Sequence, residues 1–298
     1  MSDLLTTLAE PLQLGFMRNA FLAIILVGLV CGAIGVFVTL RGLAFMGDAI
    51  AHAVFPGVVI SYILGGNFLI GALIAATVVS LGIGFVTQSG LLRNDTAIGV
   101  FFVGAFALGV AIISTQRSYA RDVTSLLFGS ILGVSHGDLL LTAVVGAVVL
   151  LTLWLFRREI VAVSFDRTFA RAQGLNLWRW DQLFLLLLAM TIVISLQTVG
   201  NVLVLAMLVT PSATARLLTV RLAPMVAVSA LLGAFSGVVG LYLSYFGGVS
   251  SGASIVLVAT AIFILVFLFA PRTGVITTRV ARRLHYHHPE RDQFPEGA

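Results

Sequence analysis

The stretch GDAIAHAVFPG, residues 47–57, places an acid and a histidine four residues apart inside an otherwise apolar run. On a helix, Asp48 and His52 lie on one face, about 6 Å apart along the axis. Ionisable groups at membrane depth are costly, so they face a cavity and serve a purpose there. Around them stand Ala49, Ala51, Ala53 and Gly57, small enough for another helix, or a second copy of this one, to come close. Pro56 has no N–H, so the His52 carbonyl loses its intrahelical partner and the helix is predicted to bend. A carboxylate, an imidazole and a freed carbonyl together make ligands for a small divalent cation. One copy supplies too few. Two copies about a two-fold axis would bring two Asp and two His together, enough for four-coordination. No thiolate takes part, which suits an ion that must leave again. The plainer alternatives are Asp48 as a helix N-cap and His52 as a hydrogen-bonded packing residue.

The remainder of the 298 residues must hold that pair in a membrane. The chain is 59% hydrophobic and only 10% charged, with a mean hydropathy of +1.11. It reads as successive apolar runs of bilayer-spanning length, not as the short alternating segments of a barrel. The expected fold is all-α, a polytopic helical membrane protein of about 8–10 transmembrane helices forming a single domain over 1–298. Spans are predicted at 20–40, 48–65, 67–88, 95–115, 137–156, 181–198, 200–219, 224–246 and 250–270. A surface helix is predicted over 1–15, with no basic leading region of a cleavable signal. The short apolar piece 123–134 reads as re-entrant, giving nine spans; were it to cross, there would be ten.

The net charge of +5 comes from 17 Arg and no Lys. A phosphate-binding GxxxxGK[ST] loop is therefore impossible, so any ATP-driven step needs another polypeptide. No soluble domain remains to bind nucleic acid. Arg157, Arg158, Arg167, Arg171 and Arg179 in the loop 157–180, and the basic tail 272–298, place both on the cytoplasmic side. Small residues three or four apart in GLVCGAIG and GALIAATVVSLGIG suit close packing of helices in lipid. Cys31 is the single cysteine and cannot form an intrachain disulfide.

The stretches RGLAFMGDAIAHAVFPGVVISYILGG and GLNLWRWDQLFLLLLAMTIVISLQTVGNVLVLAMLVTPSATARLL, the second at 174–218, closely resemble the permeases of bacterial zinc and manganese ABC importers. The resemblance covers residues 15 to 275. It implies a permease dimer, homomeric or heteromeric, two cytoplasmic ATP-binding subunits, an extracytoplasmic metal-binding protein and residence in the bacterial plasma membrane. It also implies that Asp48 and His52 line the metal path. One departure is Ala51, where members often carry Ser. The segment 164–176, SFDRTFARAQGLN, is similar to the family's cytoplasmic coupling helix, with Asp166, Ala170 and Gly174 at its acid, small and glycine positions. By itself Gly174 reads as a helix C-cap, and the segment could equally be a plain positive-inside loop.

Further candidates are polar residues at turns. Gln197 and Asn201 in QTVGN, and His136 and Asp138 in SHGD, either line the outer metal path or satisfy backbone groups. Pro211 kinks its span. His285, His287 and His288 lie in the tail, as a metal sensor or as a solvated end. The function expected is that of an importer permease passing Zn²⁺ or Mn²⁺, with iron also within range, by alternating access. The ion is the transported substrate, no cofactor is resident, and the chain is no enzyme by itself. The rival reading is a proton-coupled secondary metal transporter with Asp48 and His52 as relay. An intramembrane metalloprotease lacks its H-E-x-x-H.

Overall fold

The computed structural model describes residues 10–88, 94–115, 131–270 and 274–277. Apolar runs without backbone partners in lipid must close their hydrogen bonds internally, and they do so as helices. The helices are α1 (Gly15–Leu40), α2 (Ala44–Ala53), α3 (Phe55–Ile63), α4 (Phe68–Gln88), α5 (Asn94–Ser114), α6 (His136–Leu155), α7 (Arg157–Phe165), α8 (Arg167–Ala172), α9 (Leu177–Val199), α10 (Asn201–Leu218), α11 (Leu222–Gly247) and α12 (Ser251–Phe269). A 3₁₀ turn spans Ile131–Gly133, and there is no strand among the described residues.

Eight segments are long and apolar enough to cross a bilayer, α2 and α3 counting together as Ala44–Ile63. The ninth expected span, at 200–219, is α10, a shorter apolar helix. Leu203, Val204, Met207, Leu208 and Ala215 are all buried, so protein rather than lipid satisfies this helix. The surface helix expected over 1–15 lies mostly outside the described residues, as do most of 123–134 and of the tail, with its three histidines.

Helix direction follows from which residues meet. Arg41, Gln88, Ile98, Arg167 and Asp181 border one cavity, which places the end of α1, the end of α4 and the starts of α5 and α9 at one end of the bundle. At the other end Asn19 of α1 donates to the Val134 carbonyl, and Gln197 at the end of α9 donates to Asp138 at the start of α6. α5 therefore runs toward the end where α6 begins.

The core is fixed by backbone approach. α1 lies between α11 and α10. A Cβ on Gly28 would stand 2.6 Å from the Ala234 nitrogen, and one on Gly32 2.6 Å from the Ser229 carbonyl oxygen. The Ser229 hydroxyl donates to the Gly32 carbonyl at 2.6 Å. This is the packing by small residues that replaces the hydrophobic effect between helices in lipid.

Gly28→Leu is expected to force α1 from α11 and to destabilise the bundle by about 1–3 kcal/mol, the usual cost of overpacking. Gly104→Ala, where a Cβ meets nothing within 4 Å, is expected to be neutral. Thermal unfolding of the two variants in detergent checks both.

Candidate metal site

Two interruptions of helix meet around His52. The first lies within the Ala44–Ile63 span. α2 ends at Ala53 and α3 begins at Phe55, with Val54 between them and Pro56 in the first turn of α3. The predicted bend is thus a junction between two helices. Asp48 is the fifth residue of α2, whose N-cap is Leu43, so it does not cap the helix. The second interruption is Gly200, at φ +82° and ψ 167°, between α9 and α10. Only glycine adopts that conformation readily. It sets Asn201 as the first residue of α10.

The three side chains converge on one nitrogen. Asp48 Oδ1 lies 3.5 Å from His52 Nε2, and Asn201 Nδ2 lies 2.8 Å from the same atom. That hydrogen bond ties the start of α10 to the ring of His52. Asn201 is buried, and its Oδ1 has no hydrogen-bond partner among the described residues. A buried acceptor left so costs about 1–3 kcal/mol, which a cation at this point would recover. Phe102 and Phe106 of α5 wall the ring, with centroids at 5.4 and 5.7 Å.

The pair reaches the surface of the chain. The Asp48 side chain is 41% exposed and that of His52 26%, although both sit within a membrane-length segment. No group of three His, Cys, Asp or Glu forms among the described residues. The chain therefore offers a carboxylate, an imidazole and an amide oxygen, an incomplete donor set of which the carboxylate and imidazole are partly exposed.

The four other path candidates divide. Asn201 joins His52, whereas Gln197 Nε2 donates to Asp138 Oδ1 at 2.9 Å. Asp138 Oδ2 accepts from the Ser135 N–H at 3.1 Å and its hydroxyl at 2.7 Å, in a capping box at the start of α6. Both oxygens of Asp138 are thus engaged in structure. His136 is exposed beside it.

The segment 164–176 is narrower as a helix than expected: α8 covers Arg167–Ala172, and Ser164 and Phe165 belong to α7. Asp166 caps it, accepting from the Phe169 N–H at 2.8 Å. Gly174, at φ +79°, ends it. The Gly174 N–H donates to the Arg171 carbonyl and the Leu175 N–H to that of Ala170, the paired bonds of a Schellman close. Ala170 is fully buried among Val163 and Leu177, while Phe165 and Phe169 are exposed. Sequence reasoning did not single out Arg41 or Asp181, which join this region to α1. Their signal was faint: one cation just before the GDAIAH stretch, and one acid in the first turns of a long apolar helix.

The profile of the ABC 3 transport family matches residues 13–270. A manganese transport system membrane protein of Halalkalibacterium halodurans is 47% identical over 277 residues, covering 93% of this chain and 95% of that one. A chelated iron transport system membrane protein of Yersinia pestis is 36% identical, covering 96% and 97%. Among solved structures, PsaBC from Streptococcus pneumoniae in complex with Fab superposes with a TM-score of 0.81 at 38% identity, over 91% of this chain and 99% of that one.

Gly200→Ala is expected to strain the α9–α10 junction at a cost of about 1–3 kcal/mol and to draw Asn201 from His52. Lower thermal stability together with a changed imidazole ¹⁵N shift for His52 is the expected result. An unchanged shift would separate Asn201 from the ring.

Proposed function

The chain belongs to the ABC 3 transport family, and on that premise we propose that it is the permease of an ATP-driven manganese importer that works as a dimer. It is an integral plasma-membrane protein and a transport component, not an enzyme. The observation that carries the proposal is the half-exposed Asp48 carboxylate beside His52 on a membrane-length segment. Acyl chains cannot cover such a group at tolerable cost. A second permease, identical or related, can, and it brings its own carboxylate and imidazole to the same ion.

Manganese fits the donor set. Carboxylate and amide oxygens with imidazole suit Mn²⁺, which accepts added water up to six-coordination, while zinc favours a closed tetrahedron of N and S ligands. The relatives cited above carry manganese and chelated iron in their names. The Asn201 Oδ1 is a hard oxygen already buried at the site, and with Asp48 it tips the balance from nitrogen toward oxygen.

The driving force comes from outside the chain, which has no Lys for a phosphate loop. Two ATP-binding subunits are proposed to dock on the arginine-rich end, where Phe165 at the end of α7 and Phe169 of α8 are exposed. That end is cytoplasmic by the charge bias of its loops. An extracytoplasmic binding protein delivers Mn²⁺ at the other end. ATP binding and release then tilt the two protomers, so that the Asp48–His52 pairs open alternately to either side.

Asp48→Asn and His52→Ala are each expected to cut ⁵⁴Mn²⁺ uptake by about a hundred-fold or more, as loss of a charged ligand does, while the complex still assembles. Asn201→Ala is expected to weaken Mn²⁺ uptake by about ten-fold, the size of effect found for a secondary ligand or its support. Wild-type uptake by the Asp48/His52 double variant would remove the site. Proton-driven uptake by vesicles holding the permease alone would remove the ATP-driven reading.

A further inference from the structure

At the end of the bundle proposed as cytoplasmic, one carboxylate holds two arginines from two different parts of the fold. Asp181, four residues into α9, receives Arg41 Nη1 on Oδ1 at 2.9 Å and Arg167 Nη2 on Oδ2. Arg41 immediately follows α1. Its Nε donates to the Ser164 hydroxyl at 2.8 Å and its Nη2 to the Ile160 carbonyl at 3.5 Å. Its guanidinium lies 4.2 Å over the Phe184 ring. Each of its three nitrogens makes a hydrogen bond, which ties the end of α1 to α7 and α9. Burial pushes the Arg41 guanidinium below its ordinary range, the charge of Asp181 opposes that, and the nearby Arg167 adds to it.

The two arms differ in environment. The Arg41 side chain is 9% exposed, that of Arg167 59%. Breaking a buried pair strands a charge and is strongly unfavourable, whereas an exposed pair forms and parts at little cost. Arg167 belongs to α8. One side of the cluster is a cavity of about 740 Å³, bordered by Arg41, Arg167, Arg171, Gln88 and Asp181. The cavity gives the exposed Arg167 side chain room beside Asp181. From Arg41 the chain turns through Gly42, at φ +70°, and enters α2 at Ala44, four residues before Asp48.

We propose that Asp181 is the joint that passes movement of α8 to the helix bearing Asp48 and His52, with Arg41 as its permanent arm and Arg167 as its releasable one. This rests on the reading of α8 as the element that docks the ATP-binding subunits. As α8 shifts with those subunits, the charge of Arg167 moves on or off Asp181. The carboxylate then holds Arg41 less or more tightly, and the Gly42 turn carries the change to the start of α2. Arg167 is a positioning residue: it touches no ion and need not hold the ATPase.

The test uses the full complex in proteoliposomes, with ATP hydrolysis and ⁵⁴Mn²⁺ uptake measured together. Arg167→Ala is expected to keep the ATP-binding subunits bound and hydrolysis within about two-fold, and to lower Mn²⁺ taken up per ATP by about five-fold, a coupling of the size that packed networks carry. Arg167→Lys, which keeps the charge, is expected to restore most of that ratio. An unchanged ratio in Arg167→Ala, or loss of the ATP-binding subunits from it, overturns the joint. Phe169→Asp separates the underlying reading. It is expected to release the ATP-binding subunits, and if it retains them, α8 is not the docking element, whatever Arg167 does.

Discussion

A carboxylate beside an imidazole, set within a membrane-length segment, is the constraint that the rest of the structure answers. Neither group can be left to lipid, and neither is buried outright: Asp48 and His52 remain partly exposed on the protomer surface. The fold supplies what one chain can. α5 closes two sides of the ring with Phe102 and Phe106, and Gly109 lets α5 approach the α2–α3 junction, where a Cβ would stand 2.5 Å from Phe55. The Gly200 break brings an amide to Nε2. What is left open is the direction a second permease would cover.

The helices around this site are of two kinds. α1, α10 and α11 approach through glycine and serine with their backbones in contact, and such close-packed crossings resist continuous deformation. α2 with α3 and α9 with α10 are instead broken beside His52, at Val54 and at Gly200. Backbone irregularity at membrane depth is tolerated where protein surrounds it. Two breaks thus lie at the site, while α1 and α11 run through their close contacts as unbroken helices. A change delivered to the start of α2 meets a ten-residue helix with a junction behind it, not a rigid rod of full membrane length.

The sequence shows the frame well and the site in part. Apolar runs of bilayer length leave little choice of fold, and each expected span from 20–40 to 250–270 has its helix. The Asp48–His52 pair is legible because charge is so scarce among these runs. Gly174 is legible as a C-cap because a left-handed residue after a short polar helix has few alternatives. Less visible is which turn residue reaches which helix. Gln197 and Asn201 stand in one turn and look equivalent, yet one joins a capping box and the other the imidazole. That division depends on the conformation of Gly200 and on how deep α10 begins, neither of which a local pattern records. Arg41 was hidden for a related reason. Its partners Ser164 and Asp181 lie more than a hundred residues away, and a single arginine at a helix end is ordinarily only a topology signal.

The choice of an ionic cluster at the arginine-rich end has a physical logic. Apolar side chains of similar size would often hold α1, α7 and α9 together at least as firmly, since desolvation offsets much of what a buried pair gains. An apolar contact, however, responds only to separation, and it weakens gradually as surfaces part. A carboxylate shared by two guanidinium groups responds to charge. When the exposed partner departs, the buried one experiences a different field without having moved, and its hydrogen bonds to Ser164 and Ile160 keep its place while it does. Such a cluster joins a contact that must persist to one that must come and go. That is the property wanted where a six-residue helix, proposed to move with the ATP-binding subunits, meets the end of a close-packed one.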